Sequence, residues 1–209
     1  MKTAIIIANG EPVETSVVLK NLSLGQFIVC ADGGANFARK INIKPNVILG
    51  DFDSITEETQ QYFSDVQKIH MQNQETTDLE KAIIYCIEKK IKKAILISVF
   101  GNRIDHVVGA LGCMKKYSQE INLKIVDSYS EIIIIDRHTK IRTFKGEKIS
   151  LIPLERCEGI TTANLKYELN NESLQIGVRE GISNESLGNA ALIDIKKGAL
   201  LLYRFRNTV

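Results

Sequence analysis

Val47-Ile48-Leu49-Gly50-Asp51-Phe52-Asp53-Ser54 is the stretch on which the reading of this chain turns. Three apolar residues run into a glycine, the pattern of a buried strand in a parallel sheet. Chain leaving such a strand lies at the carboxyl edge of the sheet, where open α/β folds bind ligands. Two aspartates one residue apart then place negative charge at that edge. A divalent cation bridging to phosphate oxygens compensates it, since Mg²⁺ takes one or two carboxylates together with substrate phosphates. A plainer account is also open, in which Asp51 shapes a turn and Asp53 caps a helix beginning near Thr56.

Outward from this stretch the first half alternates. Strands are predicted at 3–8, 27–31, 47–49, 66–70, 94–99 and 123–127. Helices are predicted at 11–22 with Pro12 in the first turn, then at 35–41, 56–64, 78–90 and from about 104 to 117. The helix from Asp78 is the clearest, because Leu79, Ala82, Ile83, Cys86 and Ile87 form one apolar stripe. Thr77 and Glu80 fit a capping box, with Glu80 reaching back to the cap. This alternation implies a parallel sheet with helices on both faces. After Asp127 only short strand-like runs follow, at 132–136, 141–144, 148–152, 159–162, 165–169, 173–176, 190–195 and 199–206. Lys197-Gly198 suggests a tight hairpin between the last two. Such spacing argues for an antiparallel sandwich or barrel. Two domains are expected, 1–128 and 129–209.

Composition fits an ordinary globular protein, with 44% hydrophobic and 25% charged residues in 209. Lys plus Arg number 27 against 25 acids, a net charge of +2, which argues against a nucleic-acid footprint. No apolar run is long enough to span a bilayer, and the start breaks at Asn9-Gly10 without the form of a signal peptide. Cys30, Cys86, Cys113 and Cys157 are widely spaced without Cys-x-x-Cys, which suggests a reduced, cytoplasmic protein with neither zinc nor disulfides.

Four acidic motifs follow predicted strands or open helices: Asp32 before Gly33-Gly34, Asp51 with Asp53, Asp78, and Arg103 with Asp105. In a parallel sheet these ends share one rim, and carboxylates gathered there repel unless a cation sits among them. Gly33-Gly34 before a helix lets backbone approach a phosphate, although Gly-Gly is also a common turn. Arg103 suits a phosphate clamp, and pairing with Asp105 is the alternative. Asp78 is favourable in a first helical turn without any function. His106 is open between a structural and a functional role, while His70 and His138 read as solitary surface residues. Neither a Walker A sequence nor Gly-x-Gly-x-x-Gly occurs.

Taken together, Ala31-Asp32-Gly33-Gly34-Ala35, Gly50-Asp51-Phe52-Asp53-Ser54, Thr77-Asp78-Leu79-Glu80 and Gly101-Asn102-Arg103-Ile104-Asp105-His106 resemble the thiamin pyrophosphokinase family. Asn164-Leu165-Lys166-Tyr167 and Ile182-Ser183-Asn184-Glu185 extend the resemblance to nearly the whole chain. It implies an α/β fold: a parallel-sheet, Rossmann-like amino-terminal domain that binds ATP, then a β-sandwich that helps bind thiamin. It implies a homodimer with thiamin at the interface, and transfer of pyrophosphate from ATP to the thiamin hydroxyl, giving thiamin diphosphate and AMP. By the family pattern Asp51, Asp53 and Asp78 are the Mg²⁺ ligands. Asp32, Gly33, Gly34, Arg103 and Asp105 complete the nucleotide and phosphate site. Asp51, Thr77, Ser183 and Asn184 are the thiamin contacts. Departures are Gln74-Glu75 where relatives have Lys-Asp, Ala110 where they have Asn, and the absence of Trp. Tyr167 is expected in the sandwich core, with an aromatic face for the thiazolium as the alternative. Competing functions are a pyrophosphokinase for another alcohol such as a hydroxymethylpterin, an aspartyl phosphatase using Asp51, and a non-catalytic thiamin or nucleotide binder.

Overall fold

The computed structural model describes residues 3–24, 27–73 and 75–206. Gln74, one of the departures noted above, lies outside the described residues. The chain divides into two units, Met1–Ser128 and Tyr129–Val209.

In unit 1 the order is β1 (Thr3–Ile7), α1 (Thr15–Leu22), β2 (Phe27–Ala31), α2 (Gly34–Lys40), β3 (Val47–Gly50), α3 (Glu57–Tyr62), β4 (Gln67–His70), α4 (Asp78–Glu88), β5 (Lys93–Ile97), α5 (Ile104–Lys116) and β6 (Asn122–Val126). Every strand pair is parallel, in the order β6-β5-β1-β2-β3-β4. The strands are apolar on both faces because helices cover both. Ile5, Ile7, Cys30, Ile48 and Ile95 pack with Val17, Val18, Phe37 and Ala38 from α1 and α2. α4 lies against β1, β2 and β3.

Three local expectations change in unit 1. Helix α1 begins at Thr15 rather than near Glu11, because the amides of Gly10 and Glu11 donate to the carbonyls of Ser98 and Phe100 and hold that segment outside a helix. Thr77 does cap α4, its hydroxyl accepting from the Glu80 amide at 3.3 Å. Glu80 does not reach back. Its Oε1 accepts from Lys116 Nζ and Tyr117 Oη, each at 2.7 Å, on α5 and at its end, where a cation and a buried hydroxyl are better donors than an exposed amide. His70 is exposed but not solitary, since its ring stacks on Phe52 at 5.5 Å.

Unit 2 contains β7 (Ser130–Ile135), β8 (Thr139–Arg142), β9 (Lys148–Pro153), β10 (Cys157–Ala163), β11 (Glu172–Leu174), β12 (Gly181–Glu185), β13 (Ala190–Asp194) and β14 (Leu200–Phe205). They form antiparallel layers ordered β12-β9-β14-β7 and β11-β10-β13-β8. Ile135, Ile149, Leu151 and Leu202 from one layer share a core with Ile141, Ile160, Leu174 and Ile193 from the other, which makes a sandwich. The predicted hairpin at Lys197-Gly198 is absent. β13 pairs β10 and β8, whereas β14 pairs β7 and β9, so the turn carries the chain from one layer to the other. Residues 165–169 form no strand, and β12 appears where none was expected. Tyr167 is exposed rather than in the core. His138 lies with Nδ1 2.6 Å from Asp194 Oδ1. All four cysteines are buried and free. No helix among the described residues is long and apolar enough to cross a membrane.

Candidate functional site

The strand order of unit 1 makes β1 the point of reversal, with β2 on one side and β5 on the other. A crevice opens at the carboxyl ends of strands at such a point. Here the Ala8 amide donates to Ile97 O at 2.9 Å, Gly10 to Ser98 O at 2.7 Å and Glu11 to Phe100 O at 2.7 Å. These bonds tie together the two segments leaving β1 and β5. At this edge lies a cavity of about 700 Å³, lined by Asn9, Gly10 and Glu11, by Asp32, Asp51, Asp53, Thr77 and Asp78, and by Gly101, Asn102, Arg103 and His106. Its size is that of small-molecule sites generally.

Asp32 follows β2 in a left-handed conformation, φ 42°, and is only 2% exposed. Its amide donates to Leu49 O at 2.8 Å, and its Oδ1 has no hydrogen-bond partner. Gly50, φ 149°, closes on it from β3. A Cβ there would stand 2.8 Å from the Asp32 Cβ, so only glycine permits the approach. Burial pushes the Asp32 carboxyl above its ordinary value, and Asp78 and Asp53 push the same way against Ser54 and the Gly33 amide.

The loop after β3 is fixed from several sides. The Asp53 amide donates to Asp51 Oδ1 at 3.3 Å, and Ser54 Oγ donates to Asp53 Oδ1 at 2.8 Å. Asn36 on α2 donates through Nδ2 to Ser54 O at 2.8 Å and accepts from the Thr56 amide at 3.1 Å. Asp78, in the first turn of α4, brings a third acid, and Lys81 Nζ donates to its Oδ1 at 2.9 Å.

Asp32, Asp51 and Asp78 each place an oxygen within 4.8 Å of the others'. The expected set was Asp51, Asp53 and Asp78. Asp32 rather than Asp53 completes this close group, while Asp53, whose carboxylate takes the Ser54 hydroxyl, lines the same cavity. Oxygen-only ligands suit a hard divalent cation such as Mg²⁺ rather than zinc. The unpartnered, nine-tenths-buried oxygen of Asp32 fits that assignment, because a buried carboxylate oxygen without a donor is costly unless a cation approaches it.

Arg103 stands at the N-cap position of α5, without a side-chain capping bond, and is 71% exposed along its side chain. It grips Asp105 with Nε to Oδ1 at 2.9 Å and Nη2 to Oδ2 at 2.5 Å. Its guanidinium holds the Asp105 carboxyl down to about 2. Arg103 lines the cavity, and Asp105 is not among its lining residues. Gly33 and Gly34 are not among the lining residues. A Cβ on Gly34 would meet Ile7 O at 2.2 Å, so this glycine lets α2 press onto β1. Asn9, Gly10 and Glu11 went unrecognised in the sequence, where Asn9-Gly10 marks only the end of a strand. The available signal was a glycine turn directly after the first strand of an alternating domain.

The other thiamin candidates stand in unit 2. Ser183 has φ 60°, and its amide donates to Ser150 Oγ at 3.0 Å. Asn184 is buried; its Oδ1 accepts from the amides of Tyr167 at 3.0 Å and Glu185 at 2.9 Å, and its Nδ2 donates to Tyr167 O at 2.7 Å. Those bonds pin the loop bearing Tyr167.

Residues 19–126 match the family model for the thiamin pyrophosphokinase catalytic domain, and residues 131–200 match that for the thiamin pyrophosphokinase vitamin B1 binding domain. The chain belongs to the thiamin pyrophosphokinase family. It is similar to thiamin pyrophosphokinase 1 of Caenorhabditis elegans, 27% identical over 201 residues, covering 85% of this chain and 79% of that one. It is also similar to thiamine pyrophosphokinase of Bacillus subtilis, 27% identical over 169 residues, covering 78% and 79%. The solved Bacillus subtilis thiamine pyrophosphokinase shares the fold with a TM-score of 0.86 at 24% identity, covering 99% of this chain and 100% of that one. Family membership makes this chain a pyrophosphotransferase and favours thiamin over the pterin and phosphatase alternatives.

Proposed function

We propose that unit 1 binds ATP and carries the reacting groups for pyrophosphate transfer to thiamin, and that unit 2 helps hold thiamin. The observation that supports this reading best is the meeting of Asp32, Asp51 and Asp78 within 4.8 Å at the reversal-point cavity. Asp32, Asp51 and Asp78 would hold Mg²⁺, which when bound neutralises phosphate charge.

The thiamin hydroxyl oxygen bonds to the β-phosphorus of ATP as the bond to the α–β bridging oxygen breaks. AMP leaves with that oxygen and the electron pair. The hydroxyl proton passes to a carboxylate, which we assign to Asp51. Because such transfers have a loose transition state, position and charge matter more than base strength. Asp105 holds Arg103 by two of its five donors, leaving the others for charge that develops on the phosphates. Asn9, Gly10 and Glu11, with Gly101 and Asn102, receive the nucleotide at the crevice. Asp53 shapes the loop of Asp51, and Gly33 and Gly34 support Asp32 from α2. Thr77 and Ser183 are assigned to thiamin, with Asn184 as a positioning residue behind them. The enzyme acts as a homodimer in the cytoplasm, and four buried free thiols accord with a reducing compartment.

The test is AMP release from ATP and Mg²⁺ with thiamin, with hydroxymethylpterin, and with no acceptor. Thiamin-dependent AMP, matched by thiamin diphosphate, is expected. AMP with the pterin alone would keep the phosphate site and discard thiamin. Sedimentation at working concentration checks the dimer.

A further inference from the structure

We infer that Lys81 is a built-in counter-cation of the acid cluster, and that by occupying one oxygen of Asp78 it sets how tightly the site takes a divalent ion. The inference rests on the metal reading above. Lys81 is 5% exposed and, among the described residues, the only lysine or arginine that is buried. Its Nζ stands 2.9 Å from Asp78 Oδ1, one helical turn along α4. Helix α4 packs against β1, β2 and β3, and the Lys81 side chain on it is only 6% exposed.

A buried ammonium is tolerated only beside negative charge. Conversely, three carboxylates whose oxygens lie within 4.8 Å repel one another without a cation. Asp32 Oδ1 has no donor at all, so the cluster still lacks compensation with Lys81 in place. Lys81 thus meets part of the need permanently, and an arriving ion meets the rest. Both cations then share Asp78, and their mutual repulsion loosens the ion. A site that must release its product benefits from such loosening.

The experiment is titration of the nucleotide-free protein with Mn²⁺, following the free-ion electron paramagnetic resonance signal, for the wild type, Lys81→Met and Lys81→Arg. Lys81→Met is expected to bind Mn²⁺ about tenfold tighter, from the loss of one neighbouring positive charge. Lys81→Arg, which keeps the charge, is expected to bind as the wild type does. The unfolding midpoint of Lys81→Met should also fall in EDTA and recover with Mn²⁺ more than the wild type gains. Equal or weaker Mn²⁺ binding by folded Lys81→Met would overturn the inference while leaving the metal site standing. Absence of Mn²⁺ binding in all three proteins would remove the metal reading and this inference with it. If Lys81→Met folds only with Mn²⁺ present, the inference is supported. If it folds in neither condition, the same titration on Lys81→Gln decides, and unchanged binding there counts against it.

Discussion

In unit 2 the buried side chains of Asn184, Thr162 and Ser186 all find partners. Asn184 makes three hydrogen bonds, Thr162 Oγ1 accepts from the Leu169 amide at 2.9 Å, and Ser186 Oγ donates to Thr143 Oγ1 at 2.7 Å. In unit 1, by contrast, Asp32 Oδ1 and Ser98 Oγ are buried without a partner. Both follow the carboxyl end of a strand, β2 and β5, and both have positive φ, 42° and 55°. Buried polar groups are normally satisfied, so exceptions call for a cause. Asp32 lines the cavity at this rim, where the proposed cation would supply that cause, whereas Ser98 is not among the lining residues; the unit 2 side chains above fix loops instead.

The contrast breaks most readily at the acids. Asp32→Asn and Asp78→Asn are each expected to lower kcat for thiamin-dependent AMP release by about 10³-fold, the scale of losing a preorganised electrostatic group. Asp53→Asn, outside the three-acid cluster, should cost only about tenfold. In EDTA, Asp32→Asn should raise the unfolding midpoint by about 2–4 °C, because it removes a repelled, buried charge. A variant both inactive and less stable would mean that Asp32 is structural, and the difference between the units would disappear.

Next in size is Asn184→Ala. Removing an amide with three bonds should destabilise unit 2 by about 2 kcal/mol in urea unfolding. KM for thiamin should rise as the Tyr167 loop loosens, with KM for ATP unchanged. Loss of thiamin binding at full stability would instead make Asn184 a direct contact.

The sequence carried the fold of unit 1 well, because buried parallel strands and the stripe of α4 are local patterns. Asp51 and Asp78 were legible from their motifs, and so was Thr77 as a cap. Asp32 was legible as one of the rim acids, but not its burial beneath the close approach of Gly50 from the neighbouring strand, which no local pattern announces. The partners of Glu80 lie on and just after α5, and no pattern within α4 announces them. In unit 2 the strands were found but not their pairing. Lys197-Gly198 has the composition of a hairpin, and only the layer assignment of β13 and β14 shows that it is a crossing. β12 was missed because Gly181-Ile182-Ser183-Asn184-Glu185 is an edge strand with a positive φ at Ser183.

A smaller effect separates support from contact within unit 1. Phe52 sits at φ 66° between Asp51 and Asp53, and the His70 ring stacks on it at 5.5 Å. His70→Ala should lower kcat/KM about fivefold, the worth of one aromatic stack, while His70→Phe restores it. If both variants behave alike, the stack does not hold the aspartate loop.

The smallest effect is the most local. Asp105 and Arg103 are both exposed, so their pair adds little to stability. What it changes is the carboxyl itself, held at about 2 against an ordinary 3.8. For an acid lowered on folding, the favourable contribution is present above 3.8 and is lost as pH falls through about 2. The pair is therefore intact at neutral pH, and Arg103 faces the cavity already oriented. Carbon-13 titration of Asp105 should give a midpoint near 2, and Arg103→Ala should move it toward 3.8. A wild-type midpoint already near 3.8 would mean that the guanidinium swings free, and that the phosphates, not Asp105, put it in place.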